Sequence, residues 1–574
     1  MTHSFLLRPA GDCAVLVECE DLAEVMGLQA ALRSPTAPKI EEVIAAAQTV
    51  FISCDSPRML SKLRMWLKNV QLPEHAPASG TLHILNTVYD GADLTEVARL
   101  ASMSVEALIA WHSGQNWLAA FGGFAAGFMY LTPSGEGLSV ARRASPRTSV
   151  PAGSVALGGQ FCAVYPGPSP GGWQLLGHSD VLLWDASLPQ PALLMPSDTV
   201  RFKTMRETVR GSATAPVTGS SLMPAGSLVS GSSLVSGSYL MPAGSPVLAG
   251  TPAKKNVEGA TGKNISSGDV PPAEGLMVLA SGMLTTVQDL GRPGLAHQGV
   301  SGSGALDRAA LRRVNRMVGN TDMSGSGCAG LETVMAGLRI KAMGSHVVAV
   351  TAGAIELQIH SVVGSERAAP LDTPFVLRDG ETLEFRPRLG AAGFRGYLGV
   401  RGGLAVPAVL GSRSTDLLSG LGPAPLRAGA FLPVVQPFRG GIVGFPEPGP
   451  KPTQVLTVFR YLPGPRNGWF TPESRTEFEQ QTWHLSAQSN RIGLRLSGSP
   501  LVRTMAAMTA ELPSEGMPTG AIQVPPSGLP VLFLADHPVT GGYPVLGVVP
   551  REQLDRAAQL PPGAKIRFVS SECT

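Results

Sequence analysis

Two stretches of the chain concentrate side chains that could do chemistry. Ser412, Arg413 and Ser414 are consecutive, and a guanidinium between two hydroxyls suits the binding of a carboxylate or a phosphate. Gln288, Asp289 and Arg292 form a second polar run, with His297 shortly after it. Asp289 would bind Mg²⁺ or activate water, and His297 would act as a general base. In the first 200 residues, Arg142, Arg143 and Arg147 are followed by Ser154 and Gln160, and Gln523 lies near the other end of the chain. Cations with oriented amides and hydroxyls stabilise charge that develops on oxygen, as in phosphoryl transfer.

Each of these residues also has a structural reading. Asp289 and Asp307 suit turn or helix caps, and His297 suits a hydrogen-bonded role. His112 ends an expected helix, where the dipole favours a proton, so it is a second general-base candidate. Gly122-Gly-Phe-Ala-Ala-Gly127 reads as a tight β-turn or as a backbone anion cradle. Tyr165 and Trp173 suit packing better than ligand stacking.

Several mechanisms are set aside by what the sequence lacks. It has no GxxxxGK[ST] phosphate cradle, no GxSxG elbow or Ser-His-Asp spacing, and no Met-Lys-Met biotin attachment site. The six cysteines form no CxxC pair and no metal spacing, so neither a disulfide framework nor a zinc framework is expected. A formal charge of +3 without a basic, aromatic-interleaved run argues against nucleic acid. The longest uncharged apolar stretch, Trp117 to Leu131, has 15 residues and three glycines, short of the roughly 20 that span a bilayer. It is expected to form a buried strand and turn. The amino terminus has no secretory pattern, and a cytoplasmic location is expected.

The elements that must position these groups are mostly strands. A length of 574 residues implies three or four domains, and 68 Gly, 49 Pro and only 15% charged residues fit short strands and tight turns. The fold class expected is mainly β with α+β elements. Residues 203–273 turn to Gly, Ser, Ala and Pro, with Ser221-Leu-Met-Pro-Ala-Gly-Ser repeated from Tyr239, and read as a flexible linker. Three heptads match: Pro196-Ser-Asp-Thr-Val-Arg-Phe202, Asp379-Gly-Glu-Thr-Leu-Glu-Phe385 and Pro562-Gly-Ala-Lys-Ile-Arg-Phe568. Each reads as a turn feeding a strand, so three similar β units are expected. Asp93 and Ser104 are placed to cap two short helices. A longer helix is expected from Leu306 to Val318, with Leu311, Val314 and Val318 on one face and Arg308, Arg312 and Arg316 on another. The arginine stripe reads as a solvated face, or as an anion-binding or docking surface.

Longer motifs carry a family resemblance. Leu118-Ala-Ala-Phe-Gly-Gly-Phe-Ala-Ala-Gly-Phe-Met-Tyr-Leu131, the segment Arg142 to Val155 and Tyr165-Pro-Gly-Pro-Ser-Pro-Gly-Gly-Trp-Gln-Leu-Leu-Gly177 resemble the B-type subunit of 5-oxoprolinase, also found as allophanate hydrolase subunit 1. Leu284-Thr-Thr-Val-Gln-Asp-Leu-Gly-Arg-Pro-Gly294, Gly304-Ala-Leu-Asp-Arg-Ala-Ala-Leu311, Arg395 to Leu404, Leu410-Gly-Ser-Arg-Ser-Thr-Asp416, Gly520-Ala-Ile-Gln-Val-Pro525 and Thr540-Gly-Gly-Tyr543 resemble the C-type subunit, or allophanate hydrolase subunit 2. The carboxyltransferase region of urea carboxylase shares the resemblance. Ala126, Asn490 and Ala430 depart from the family pattern, which has Pro, Asp and Asp there.

The resemblance implies cyclophilin-like β-barrels. A small α+β lobe (1–80) would precede one barrel (81–202), and the linker (203–273) would lead to a C-type module with two more (274–574). It implies ATP-dependent opening of 5-oxoproline to glutamate, with ATP as co-substrate, Mg²⁺, and an A-type partner protein. The B-type and C-type modules would pair within the chain. The alternatives are a carboxyltransferase component of a biotin-dependent, urea-carboxylase-like system, and a regulator of the kinase-inhibitor type.

Overall fold

The computed structural model describes residues 5–73, 80–143, 145, 147–206, 274–320, 327–435, 442–450, 456–510 and 512–571. Met1–Arg206 and Ala273–Thr574 form one compact unit. The stretch read as a flexible linker lies outside the described residues from position 207 on. Its expected start at 203 is too early, because the strand Thr199–Thr204 runs past that point.

The chain opens as an α+β lobe. Four antiparallel strands lie in the order Leu6–Pro9, Ala14–Glu18, Thr49–Ser53, Glu42–Ala45, with helices Leu22–Ala31 and Pro57–Leu67. The second helix starts where Ser56 accepts from the Met59 amide and Pro57 presets the first turn. Its Leu60, Leu63 and Leu67 fall on one face and are buried.

A seven-stranded sheet follows, and the stretch from Trp117 to Leu131 supplies two of its strands, Trp117–Gly122 and Met129–Pro133. The expected helices form as Leu94–Leu100 and Val105–Ser113. Ser104 caps the second by accepting from Ala107, as its position predicts. Asp93 sits at the start of the first but does not cap it; two arginines claim its carboxylate instead.

The second module holds a six-stranded and a five-stranded sheet around a shared core that includes Leu276, Ile340, Val350, Leu383 and Leu398. After it comes a closed seven-stranded barrel. The expected helix forms as Arg308–Met317, capped by Asp307 through the Ala310 amide, and Gly319 beyond it takes a φ of 76°. Its apolar face, Leu311 and Val314, packs with Tyr397 of strand Arg395–Val400.

All three heptads deliver a strand whose central residue is fully buried: Val200, Leu383 and Ile566. In two of them the resemblance extends to pairing. Thr199–Thr204 runs parallel to Leu82–Thr87, and Lys565–Ser570 runs parallel to Thr457–Pro463, so in both the closing strand lies beside an early one.

The glycine-rich segment 122–127 is a seam between the modules. A Cβ on Gly122 would lie 2.3 Å from the His297 carbonyl oxygen, and one on Gly123 would lie 2.8 Å from the Thr540 methyl. The Phe124 amide donates to Thr540 Oγ1 at 2.9 Å and the Gly127 amide to the Gln298 carbonyl at 2.9 Å. Close backbone approach, rather than anion binding, explains these glycines.

Candidate functional site around residues 288–308

The strand Leu284–Gln288 ends at Asp289, whose carboxylate gathers the loop that carries Ser412 to Ser414. Oδ1 accepts from Ser412 Oγ at 2.6 Å, Ser414 Oγ at 2.5 Å and the Gly291 amide at 2.8 Å; Oδ2 accepts from the Arg413 amide at 2.6 Å. Asp289, Ser412 and Ser414 are fully buried. Four donors saturate this carboxylate, so the cluster anchors two loops and fixes two arginines.

The first is Arg413, half-buried, whose Nε donates to the Val406 carbonyl at 2.8 Å while its Nη nitrogens have no acceptor among the described residues. The second is Arg292, only 2% exposed. Its Nη2 donates to the Ser414 carbonyl at 2.5 Å, but Nε and Nη1 have no acceptor among the described residues. Burial lowers the Arg292 pKa, and the charges of Asp416, Asp289 and Asp536 work against that. Gln288 is equally buried: its amide nitrogen is held by Thr286 and the Thr415 carbonyl, and its Oε1 has no donor among the described residues. Unsatisfied buried donors and acceptors are uncommon and call for a partner.

The same loop continues past a small cavity of about 70 Å³, lined by Leu290, Pro293, Ser303, Arg308, Thr519, Arg551 and Asp555. Arg308 and Arg551 face one cavity with like charges. Burial and the neighbouring Arg551 and Arg312 bring the Arg308 pKa down to about 10. Arg551 has Glu41 of the lobe at 3.0 Å. Asp555 accepts from the Arg308 amide at 2.8 Å, and burial raises its pKa. Asp307, the helix cap, is raised to about 6, again by burial first. Two cations and a carboxylate whose pKa burial raises, around one cavity, suit a phosphate or another oxyanion.

Arg308, Arg551 and Asp555 were not among the candidates read from sequence. Arg308 was noted only as part of the arginine stripe, which the structure divides: Arg308 turns to the cavity, Arg312 is exposed and Arg316 pairs with Glu447. Arg551 and Asp555 share the helix Arg551–Ala558, and their i, i+4 spacing was the available signal.

The remaining candidates lie elsewhere. His297, in the single turn Ala296–Gln298, lines a different cavity of about 410 Å³, and burial together with Arg33 lowers its pKa. Arg143 and Arg147 both donate to Asp93 Oδ1 at 2.8 Å, and the Leu175 amide donates to Oδ2 of the same carboxylate. Arg142 is exposed, Ser154 is buried in a strand, and Gln160 is exposed in the turn between strands Ser154–Gly158 and Phe161–Val164. Gln523 is buried and donates to the Tyr543 carbonyl at 3.3 Å.

His112 does not hold a proton at its helix end: it is fully buried between Tyr89 and Cys162, and burial drives its pKa down to about 3. Desolvation outweighs the helix dipole here. Tyr165 and Trp173 pack with Phe128, as expected of core aromatics. Asn490 merely turns the chain, accepting from the Ile492 amide, and Ala430 sits in a backbone-bonded turn.

Among the described residues no three His, Cys, Asp or Glu side chains gather as a metal cage, and no helix is long and apolar enough to cross a membrane.

Comparison with known proteins places both modules. Residues 5–194 match the carboxyltransferase domain, subdomain C and D, and residues 298–570 match the carboxyltransferase domain, subdomain A and B. The B-type subunit of 5-oxoprolinase from Escherichia coli O157:H7 is 35% identical over 211 residues, which are 35% of this chain and 95% of that protein. The C-type subunit of 5-oxoprolinase from Escherichia coli K12 is 35% identical over 298 residues, 51% of this chain and 90% of that protein. Urea amidolyase of Lachancea kluyveri is 30% identical over 318 residues, but only 17% of that protein is covered. The crystal structure of TTHA0988 shares the fold over 97% of this chain and 99% of that one, with a TM-score of 0.74 and 30% identity. The chain therefore belongs to the carboxyltransferase-domain family, and it joins in one polypeptide a module similar to the B-type subunit of 5-oxoprolinase and a module similar to the C-type subunit.

Proposed function

We propose that the chain supplies the B-type and C-type subunits of an ATP-dependent 5-oxoprolinase and opens 5-oxoproline to glutamate together with an A-type partner. The observation that carries this reading is that its two modules match two differently named subunits of that one enzyme over nearly their whole lengths. Joining them in one chain fixes their stoichiometry and raises their effective concentration.

A lactam carbonyl is a weak electrophile, and phosphorylation of its oxygen cures that. The γ-phosphoryl group leaves ADP and forms a P–O bond to the lactam oxygen. Water then adds to the activated carbon, and the ring C–N bond breaks as the nitrogen takes a proton. A second water attacks the acyl carbon of the resulting acyl phosphate and breaks its C–O bond, so glutamate is released and the inorganic phosphate carries away the former lactam oxygen. In this reading Arg308 and Arg551 take the phosphate charge, and Asp555, whose pKa burial raises, is the carboxylate beside them. Asp289, Ser412 and Ser414 are positioning residues that hold Arg413 and Arg292 in place. Mg²⁺ would be held chiefly by the phosphates, with Asp555 as the carboxylate nearest to hand.

The experiment is glutamate release from 5-oxoproline and ATP by the purified chain, alone and with an A-type partner, with Arg413→Ala and Arg308→Ala alongside. Activity that needs the partner and falls in both variants supports the reading. Carboxyl transfer from a biotinylated partner without glutamate release would favour the urea-carboxylase-like alternative, to which the match with urea amidolyase points.

A further inference from the structure

The lobe, the first sheet and the turn at 294–297 enclose a cleft that none of the chemistry above uses. It consists of two cavities, of about 410 and 320 Å³, that share Arg33, Met195 and Pro196 as walls. One is closed by Leu32, Ile40, Val43 and His297, and the other by Thr81, His83 and Asp198. Each is within the range that small-molecule sites occupy, and the lining has the usual plan of an apolar body with a few polar groups.

The polar groups of the cleft are not equally committed. Asp198 is buried and spent: Oδ1 accepts from the Thr81 amide at 2.8 Å, and Oδ2 from the Met195 amide at 2.8 Å and His83 Nε2 at 3.2 Å. Burial, and after it the nearby Arg33 charge, lower the His297 pKa. The Arg33 guanidinium, exposed at the mouth where the apolar and polar halves meet, has no hydrogen-bond or ion-pair partner among the described residues. It is therefore open to an ion pair with a ligand, Asp198 being turned to His83 and two backbone amides. The polar wall is also held tightly: Ser197 has a φ of 84°, rare for a residue other than glycine, and its carbonyl lies where a Cβ on Gly80 would come within 1.9 Å.

We propose that this cleft binds a small monocarboxylate with a compact apolar body. The carboxylate pairs with Arg33, His83 oriented by Asp198 is the adjoining polar contact, and the body lies among Leu32, Ile40, Val43 and Met195. The inference does not depend on the ring-opening reading, because an acyclic carboxylate meets the same requirements.

The test is calorimetric titration of the full chain with hexanoate, with acetate (the head without the body), hexanamide (the body without the charge) and 5-oxoproline (a cyclic carboxylate) in parallel. Hexanoate or 5-oxoproline is expected to bind saturably, one per chain, with acetate and hexanamide weaker by about tenfold or more. Arg33→Ala should weaken binding by about tenfold or more, and Val43→Trp, which fills the apolar half without altering charge, should abolish it. Arg58→Ala, on an exposed part of the lobe, should leave it unchanged. Unchanged melting temperatures for the variants confirm that the fold is kept; should either variant melt early, the other decides. Absence of saturable binding by both carboxylates, equal binding of hexanoate and hexanamide, or parental affinity in a folded Arg33→Ala or Val43→Trp variant would overturn the proposal.

Discussion

Arg491 and Asp536 form a two-point pair inside the second module, Nε to Oδ2 at 2.9 Å and Nη2 to Oδ1 at 3.0 Å, with both side chains fully enclosed. The pair joins the two halves of that module. Arg491 Nη1 reaches Glu332 at 2.5 Å and its Nη2 reaches the Gly304 carbonyl at 2.6 Å, while Asp536 takes Ser303 Oγ at 2.7 Å. Glu332 in turn accepts from Tyr397 at 2.8 Å and from the Leu306 amide at 2.9 Å. The 288–308 segment is thus held from behind by one buried ionic network.

Removing one partner leaves the other charges buried and unpaired. Arg491→Ala is expected to lower stability by about 3–5 kcal/mol, and Arg491→Lys to recover only part of it, because an ammonium cannot make the two-point contact. Chemical denaturation of the two variants against the parent checks both statements.

The lobe is fastened to the second module through Glu42, whose carboxylate accepts from the Gly294 and Ala296 amides. Burial raises its pKa to about 7, with the two amides pulling the other way. The native state therefore binds a proton that the unfolded chain releases near pH 4.5, so this stability is full below that pH and is lost as pH rises through about 7. Glu42→Gln should remove the dependence. Relative to the parent, the variant is expected to gain on the order of 2 kcal/mol between pH 5 and pH 8, measured by melting or denaturation across that range.

Gly122 tests the seam. Alanine there would press a methyl carbon against the His297 backbone oxygen, which neither module can move without opening the junction. A loss of about 1–3 kcal/mol is expected, and calorimetry should show the two modules melting apart. Gly137→Ala, where the nearest atom is a Pro133 side-chain carbon at 3.7 Å, should melt like the parent.

Catalysis should be most sensitive at the small cavity. Arg308→Ala is expected to lower kcat/KM for ATP about 10²-fold or more, the usual scale for losing a group that meets transition-state charge. Arg99→Ala, whose exposed guanidinium pairs with Glu96, should stay close to the parent rate. Steady-state kinetics of the partnered enzyme reads both.

Much of the architecture was legible in the sequence because it rests on local pattern. The heptads around Val200, Leu383 and Ile566 gave three strands through simple alternation, and the periodic leucines and valines gave the helix Arg308–Met317. The grouping of Asp289 with Ser412, Arg413 and Ser414 was visible only as two polar runs; contact across 123 positions is a property of the fold. Arg308, Arg551 and Asp555 escaped notice for the same reason, since helices distant in sequence bring them to one cavity. His112 and Asp93 were misjudged because burial and two distant arginines, neither readable from neighbouring residues, outweigh a helix dipole and a capping position.

The most direct measurement follows the lactam oxygen. 5-Oxoproline labelled with ¹⁸O in its ring carbonyl is incubated with ATP, Mg²⁺, the chain and an A-type partner, and the products are analysed by mass spectrometry. The account predicts glutamate release only with both proteins present, with the label in inorganic phosphate. Glutamate that keeps the label while the phosphate carries none, or no glutamate from the complete mixture, would contradict it.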